Sequence, residues 1–282
     1  MRIETTSEGR LRRVESRQNT RVKELRAAFR EASPNQQHEV AIEGMHLLEE
    51  AIRSGLRLST VFFSESARER AHKLLPQLSS HTETLLLPDE VFASAVLSET
   101  PQGVAALVRV GAFSLEQILA TQPALVLVTA GLQDPGNLGT IARSGEAFGA
   151  TGLLLGEGCV SPWNWKAVRA SAGSLFRLPT VKVQLTDALR EIKSRGLRIV
   201  ATSSHKGTAV WDADLRGPLA LVIGGEGAGV PRNVLAQVDD VIAIPQSSKV
   251  ESLNAAIAAS ILLYEAAKQR HVEPQRHRDT EI

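Results

Sequence analysis

Apolar residues along the chain come in short blocks that alternate between two periods. Val40-Ala41-Ile42, Leu58 to Phe63, Thr84-Leu85-Leu86-Leu87 and Gln102 to Val108 read as strands. Between them Arg21 to Phe29, Met45 to Ser54 and residues 66–78 read as helices, the second stopped by Gly55. Beyond residue 123 the alternation is cleaner. Strands are predicted at 125–130, 152–156, 180–184, 197–202, 219–224 and 241–244, and helices at 138–149, 165–171, 186–195 and 231–237. A last helix starts after Ser252, with Leu253, Ala256, Ile257, Ile261 and Tyr264 on one stripe. Strands apolar throughout and separated by helices predict an α/β fold with a parallel sheet covered on both faces.

The pattern divides near residue 110, and 282 residues fit two domains. Residues 1–108 form a small alternating α/β domain. Residues 109–122 are a linker with a short helix, Leu115 to Leu119. Residues 123–270 form the second domain, and 271–282 a polar tail.

Composition narrows the class. An apolar fraction of 43% supports a buried core, and aromatics at 4% leave Ala, Val, Leu and Ile to fill it. The net charge of +1 does not announce a nucleic-acid partner, but its distribution is uneven. Residues 1–30 carry nine Lys or Arg against four acids. Residues 158–186 hold Lys166, Arg169, Arg177 and Lys182 with no acid, and Trp163, Trp165 and Phe176 lie among them. Cations neutralise phosphates and aromatic faces stack on bases, although a solvated helix face and a half-buried aromatic hairpin are the simpler readings. The single cysteine, Cys159, excludes an internal disulfide. With no apolar leader and no run of about 20 apolar residues, a soluble cytoplasmic protein is expected, with no membrane partner. The seven histidines show no His-Glu-x-x-His pattern, and no metal site is expected.

Three segments carry the candidate chemistry. They are Asp134-Pro135-Gly136-Asn137-Leu138-Gly139-Thr140-Ile141-Ala142-Arg143, Ile223 to Pro231 around Gly225-Glu226-Gly227, and Ile244-Pro245 followed by Ser252-Leu253-Asn254. Each puts a glycine- or proline-bearing turn straight after an apolar run, where open α/β sheets place ligands. Each polar residue also has a plain reading. Asn137 shapes a turn, Arg143 is a solvated helix residue within reach of Glu146, Glu226 is a loop acid, and Ser252 is a helix N-cap. Their shared placement at strand ends of one domain favours a single composite site. Other chemistries are set aside. The glycines at 225 and 227 lack the third position of a dinucleotide fingerprint, where Val230 stands, so a nicotinamide or flavin oxidoreductase is disfavoured. Arg169 to Gly173 lacks the first glycine of a nucleophile elbow.

Asn137 to Arg143, Gly224 to Gly229 and Ile244-Pro245-x6-Ser252-Leu253-Asn254 resemble the three motifs of the SpoU (TrmH-type) RNA ribose 2′-O-methyltransferases of the SPOUT superfamily, in order and spacing over residues 123–270. More weakly, Arg21 to Leu25, Ile42-Glu43-Gly44 and Thr100 to Val104 resemble that family's L30e-like substrate-binding domain. The resemblance implies a trefoil-knotted parallel-sheet catalytic domain that binds S-adenosylmethionine and methylates a ribose 2′-hydroxyl in RNA, ribosomal RNA being favoured. It implies a homodimer. By position it gives Thr202, Ser203, Gly224, Gly225, Ile244 and Leu253 to the cofactor, and Asn137, Arg143, Glu226, Ser252 and Asn254 to catalysis and substrate. A transfer-RNA enzyme and a non-catalytic RNA-binding protein with the same fold are the alternatives, and the intact five polar residues argue against the second. One departure stands out. After the proline of the third motif the family has Met and Gly, whereas this chain has Gln246-Ser247-Ser248-Lys249, with Lys249 available to an RNA backbone.

Overall fold

The structure, a computed structural model, describes residues 10–204, 206–247 and 252–270. The first nine residues of the basic arm, Lys249 and the polar tail lie outside the described residues.

In chain order the first elements are β1 (Leu11–Arg13), α1 (Thr20–Glu31), β2 (Glu39–Glu43), α2 (Met45–Arg53), β3 (Arg57–Ser64), α3 (Arg68–Leu74), β4 (Glu83–Leu87), α4 (Asp89–Ala93), β5 (Val104–Arg109) and α5 (Leu115–Ala120). There follow β6 (Leu125–Ala130), α6 (Pro135–Ala147), β7 (Gly152–Leu155), α7 (Trp165–Ser171), β8 (Thr180–Lys182) and α8 (Leu185–Ser194). The last are β9 (Arg198–Ser203), β10 (Thr208–Ala209), β11 (Leu219–Gly224), α9 (Arg232–Leu235), β12 (Asp240–Ala243) and α10 (Ala255–Gln269). By packing they form two compact units. The described residues up to Ala112 go with Ser161–Arg177, and Phe113–Val160 with the described residues from Leu178 onward.

The first unit is a five-stranded sheet in the order β1-β4-β3-β5-β2, with β5 antiparallel to both neighbours. Helix α1 starts because Asn19 accepts the Arg21 N–H and caps it. Its Val22, Leu25, Ala28 and Phe29 form one helical stripe, packed against Phe62, Leu85 and Leu107. Trp165 of α7 packs on the same cluster. The helix expected over 66–78 is interrupted. Residues 65–67 and 75–77 wind as 3-10 turns on either side of α3, the second around Pro76, which cannot donate to an α-helical ladder.

The second unit is a seven-stranded sheet in the order β10-β12-β9-β11-β6-β7-β8, parallel at every pairing. The inner strands β6, β7 and β11 are buried almost throughout, which accounts for their uninterrupted apolar sequences. Strands β6 and β11 lie side by side with Ala130 opposite Gly224, so their C-terminal ends are level. The order runs one way from β6 through β7 to β8 and the other way through β11 and β9, which makes these ends the switch point of the sheet.

Two short edge strands, β1 and β10, and helix α4 have no periodic signal in the sequence. The stripe expected along the last helix also behaves differently. Helix α10 buries Ala256, Ala259, Leu262, Leu263 and Ala266, whereas Ile257 and Tyr264 are 53% and 58% exposed. Small residues face inward because α10 packs on α6, where the Ser144 and Ser260 hydroxyls are hydrogen-bonded at 2.7 Å. Among the described residues no helix is long and apolar enough to cross a membrane.

Candidate active site

The loop after β6 ends in a helix start rather than a free turn. The Asp134 carboxylate accepts the Asn137 N–H at 2.7 Å, and Pro135 occupies the first helical position. Helix α6 therefore begins three residues earlier than the sequence pattern predicts, and Asn137 sits in its first turn. Arg143, further along α6, is exposed, and its side chain has no hydrogen bond or ion pair among the described residues.

The loop after β11 folds back on itself through a bridge between Gly225 and Gly229. A Cβ at Gly224 would lie 2.2 Å from the Gly229 carbonyl carbon, and one at Gly225 would lie 2.3 Å from the Gly131 oxygen. Side chains at either position would push the loop off β11 and off the end of β6. Glu226 stands at the exposed tip of this loop.

The third loop delivers Asn254, whose carboxamide oxygen accepts the N–H groups of Ala256 and Ile257 and starts α10. The N-cap is thus Asn254, not Ser252. The same carboxamide donates from Nδ2 to Asn137 Oδ1 at 2.9 Å, and Asn137 Nδ2 donates to Glu226 Oε1 at 2.6 Å. One continuous polar chain, Glu226–Asn137–Asn254, therefore ties all three loops together. Glu226 pairs with Asn137 in this chain and not with Arg143.

Beside it lies a cavity of about 500 Å³. Thr202, Ser203, Gly224, Ile244, Ser252 and Leu253 line it. Gly225 is not among its lining residues. Its N–H is bonded to the Ala130 oxygen and its own oxygen accepts the Gly229 N–H, so it buttresses the wall. The sequence pattern did not point to Leu235, Ala258 and Leu262, which add apolar surface from α9 and α10. It marked Gln246 only as a departure from the family motif. The side-chain oxygen of Gln246, a lining residue, is buried without a hydrogen-bond partner among the described residues.

Residues 124–264 match the SpoU rRNA Methylase family, which is half of the chain. The chain belongs to the SpoU methylase family. Residues 19–106 of this SpoU methylase match an MRM3-like substrate binding domain. It is 36% identical to the uncharacterized tRNA/rRNA methyltransferase slr1673 of Synechocystis sp., over 91% of this chain and 94% of the relative. It is 31% identical to the Bacillus subtilis 23S rRNA (guanosine(2553)-2′-O)-methyltransferase RlmP, over 90% of this chain and 98% of RlmP. Among solved structures, the AdoMet-bound rRNA methyltransferase from Sinorhizobium meliloti superimposes with a TM-score of 0.80 at 27% identity, over 94% of this chain and all of that one. By family, this SpoU methylase is a methyltransferase with a SPOUT-type α/β catalytic unit and a separate substrate-binding domain.

Proposed function

We propose that this SpoU methylase transfers the methyl group of S-adenosylmethionine to a ribose 2′-hydroxyl of ribosomal RNA. The observation that carries the reading is the Glu226–Asn137–Asn254 chain, which joins three loops beside one cavity at the strand ends. The ribosomal substrate is supported by RlmP, whose likeness spans both domains.

The residues present fit the cofactor. About 500 Å³ lies within the range of small-molecule sites. Leu235, Ile244, Leu253 and Leu262 offer apolar surface to a nucleobase, and Gln246 offers a buried, unpaired acceptor to a donor group. Thr202, Ser203, Gly224, Ile244 and Leu253 would hold the cofactor, with Gly225 supporting the wall. When bound, it supplies an electrophilic sulfonium methyl.

The chain's own residues then have distinct parts. Arg143 offers a guanidinium fork as a fixed cation for the adjoining phosphate and the forming alkoxide. Both ends of the Asn137 amide are engaged, which suits it to orient the ribose rather than to carry a proton. Of the five polar residues only Glu226 is an anion, and the hydroxyl proton passes to it or to water. Ser252 lines the cavity and would hold the ribose. A donor already reactive leaves placement as much of the remaining task.

The exposed stripe of Ile257, Ile261 and Tyr264 on α10 supports a homodimer, since apolar stripes of this kind are surfaces for a partner. The knotted reading is supported by the course of the chain. Strand β12 lies beyond β9 from β11, and residues on both sides of the third motif return to the cavity lined by the 224–230 loop. A ribosomal substrate also favours the cytoplasm.

Calorimetric titration with S-adenosylmethionine, and transfer of labelled methyl groups to protein-free 23S ribosomal RNA and to transfer RNA, test the reading. Binding should be lost in Leu253→Asp, which puts a charge in apolar surroundings. Undiminished binding in that variant places the cofactor elsewhere. Transfer to transfer RNA alone corrects the substrate.

A further inference from the structure

The row that crosses the first unit's sheet at the start of β3 is unusual in its charge. Arg57 of β3 lies directly opposite Arg109 of β5, and Glu39 of β2 lies opposite Arg109 on the other side. Residues directly opposite share a face, with Cβ atoms about 4.5–5.5 Å apart, where like charges repel. The two arginines line a polar cavity of about 380 Å³ together with Arg21, Glu24, Glu39 and His81. Acids are therefore at hand, yet none forms an ion pair with Arg57 or Arg109 among the described residues. Glu24 is paired with Arg21 at 2.8 Å, and Arg21 also holds Glu83 at 2.9 Å. Glu39 is buried, and its carboxylate accepts from the Asn35 side chain at 3.1 Å. The Arg57 and Arg109 side chains have no hydrogen bond or ion pair among the described residues. Two adjacent guanidinium groups against one buried carboxylate leave this row of a concave polar site with an excess positive charge and no ion pair, a receptor for an anion. Their planar forks suit the paired oxygens of a phosphate.

We propose that Arg57 and Arg109 form an anion site that takes a backbone phosphodiester of the RNA substrate. The inference rests on the reading of this chain as an RNA methyltransferase, and it places a backbone contact at one end of the first unit's sheet. That end is opposite the one bearing the Ile42-Glu43-Gly44 and Thr100–Val104 segments. Phosphate contacts set register and affinity without reading sequence. The site accordingly anchors RNA while other surfaces select it.

The test compares wild type with Arg57→Gln/Arg109→Gln and Arg57→Lys/Arg109→Lys in the full chain. Binding to protein-free bacterial 23S ribosomal RNA is measured by filter retention over a series of salt concentrations. S-adenosylmethionine affinity and thermal melting serve as controls. The glutamine variant should bind RNA several-fold more weakly, with a log–log salt slope shallower by about 0.7–0.9 for each phosphate it no longer neutralises. Its cofactor affinity should stay at the wild-type value, and its melting temperature should not fall below wild type, because the two like charges no longer repel. The lysine variant should keep the slope, because charge rather than shape sets counterion release. An unchanged slope in the glutamine variant overturns the proposal, as does a wild type that shows no salt-dependent RNA binding. Protection of the wild type by inorganic phosphate, abolished in the glutamine variant while RNA binding is unchanged, reassigns the site to free phosphate and also overturns it. If the wild type binds RNA through these arginines but methylates none, the anion site stands and the catalytic reading falls.

Discussion

Reversing the polarity of the Asn137–Glu226 hydrogen bond gives the sharpest test of the composite site. In Asn137→Asp, a carboxylate oxygen replaces the amide nitrogen that donates to Glu226 Oε1 at 2.6 Å. The neighbouring contact survives, because the new aspartate can still accept from Asn254 Nδ2. Two effects add. A hydrogen bond to a charged group contributes about 1.5–3 kcal/mol when shielded, and the exposure of Glu226 reduces this to about 1 kcal/mol. Two like charges about 4 Å apart repel by about 1 kcal/mol in water and about 4 kcal/mol near a protein surface, so an exposed pair sits at about 1–2 kcal/mol. The expected destabilisation is about 2–3 kcal/mol, a fall in Tm of roughly 4–12 °C for a protein of this size. Glu226→Gln alone keeps an acceptor and should cost under about 1 kcal/mol. The double variant should recover most of the loss, because the glutamine amide can donate to the introduced carboxylate. Thermal and urea melts of the four proteins give the coupling energy, expected at about 1.5–2 kcal/mol, within the range of contacting pairs. A coupling under about 0.5 kcal/mol, or a double variant no more stable than Asn137→Asp, would refute the bond as what joins the first two loops.

Three further outcomes follow from the same geometry. Gly224→Ala should lower stability by about 1–3 kcal/mol and weaken S-adenosylmethionine binding at least about tenfold, because its Cβ meets the Gly229 and Val230 backbone, which cannot yield as a side chain can; calorimetry and melting check both. Arg143→Ala should keep stability within about 0.5 kcal/mol and leave cofactor affinity unchanged, while single-turnover methyl transfer falls about 10²–10³-fold, with Arg143→Lys also poor. Asp239→Ala should destabilise the protein near neutral pH. Burial pushes the Asp239 carboxyl up, but the Lys193 ammonium at 2.8 Å and the Ile199 N–H outweigh it and hold it below the usual range. A lowered folded pKa means stabilisation present above about pH 3.9 and lost as pH falls through the folded value, so urea melts of wild type and variant should converge below about pH 4.

Much of this protein is legible without coordinates, because its signals are local. The βα alternation, the parallel sheet and most element cores follow from apolar periodicity, as for β6, β11 and α7, where the strand or helix spans the expected residues. The three loops declare themselves through glycine, proline and Asn-Asp turn chemistry, which acts within a few residues. Tertiary structure decided whatever depends on distant partners. The polar chain joins Asn137 to Glu226 and to Asn254, residues 89 and 117 positions apart, and no periodicity encodes which of them bond. Strands β1 and β10 are three and two residues long and exist through pairing with a neighbouring strand. The apolar residues of α10 were visible as a stripe, but α6 accepts its small-residue face, which leaves Ile257 and Tyr264 outward. The sequence alone likewise shows Arg57 and Arg109 as two scattered cations. Only the register of β3 on β5 makes them neighbours, since a pairing shifted by one residue would send them to opposite faces.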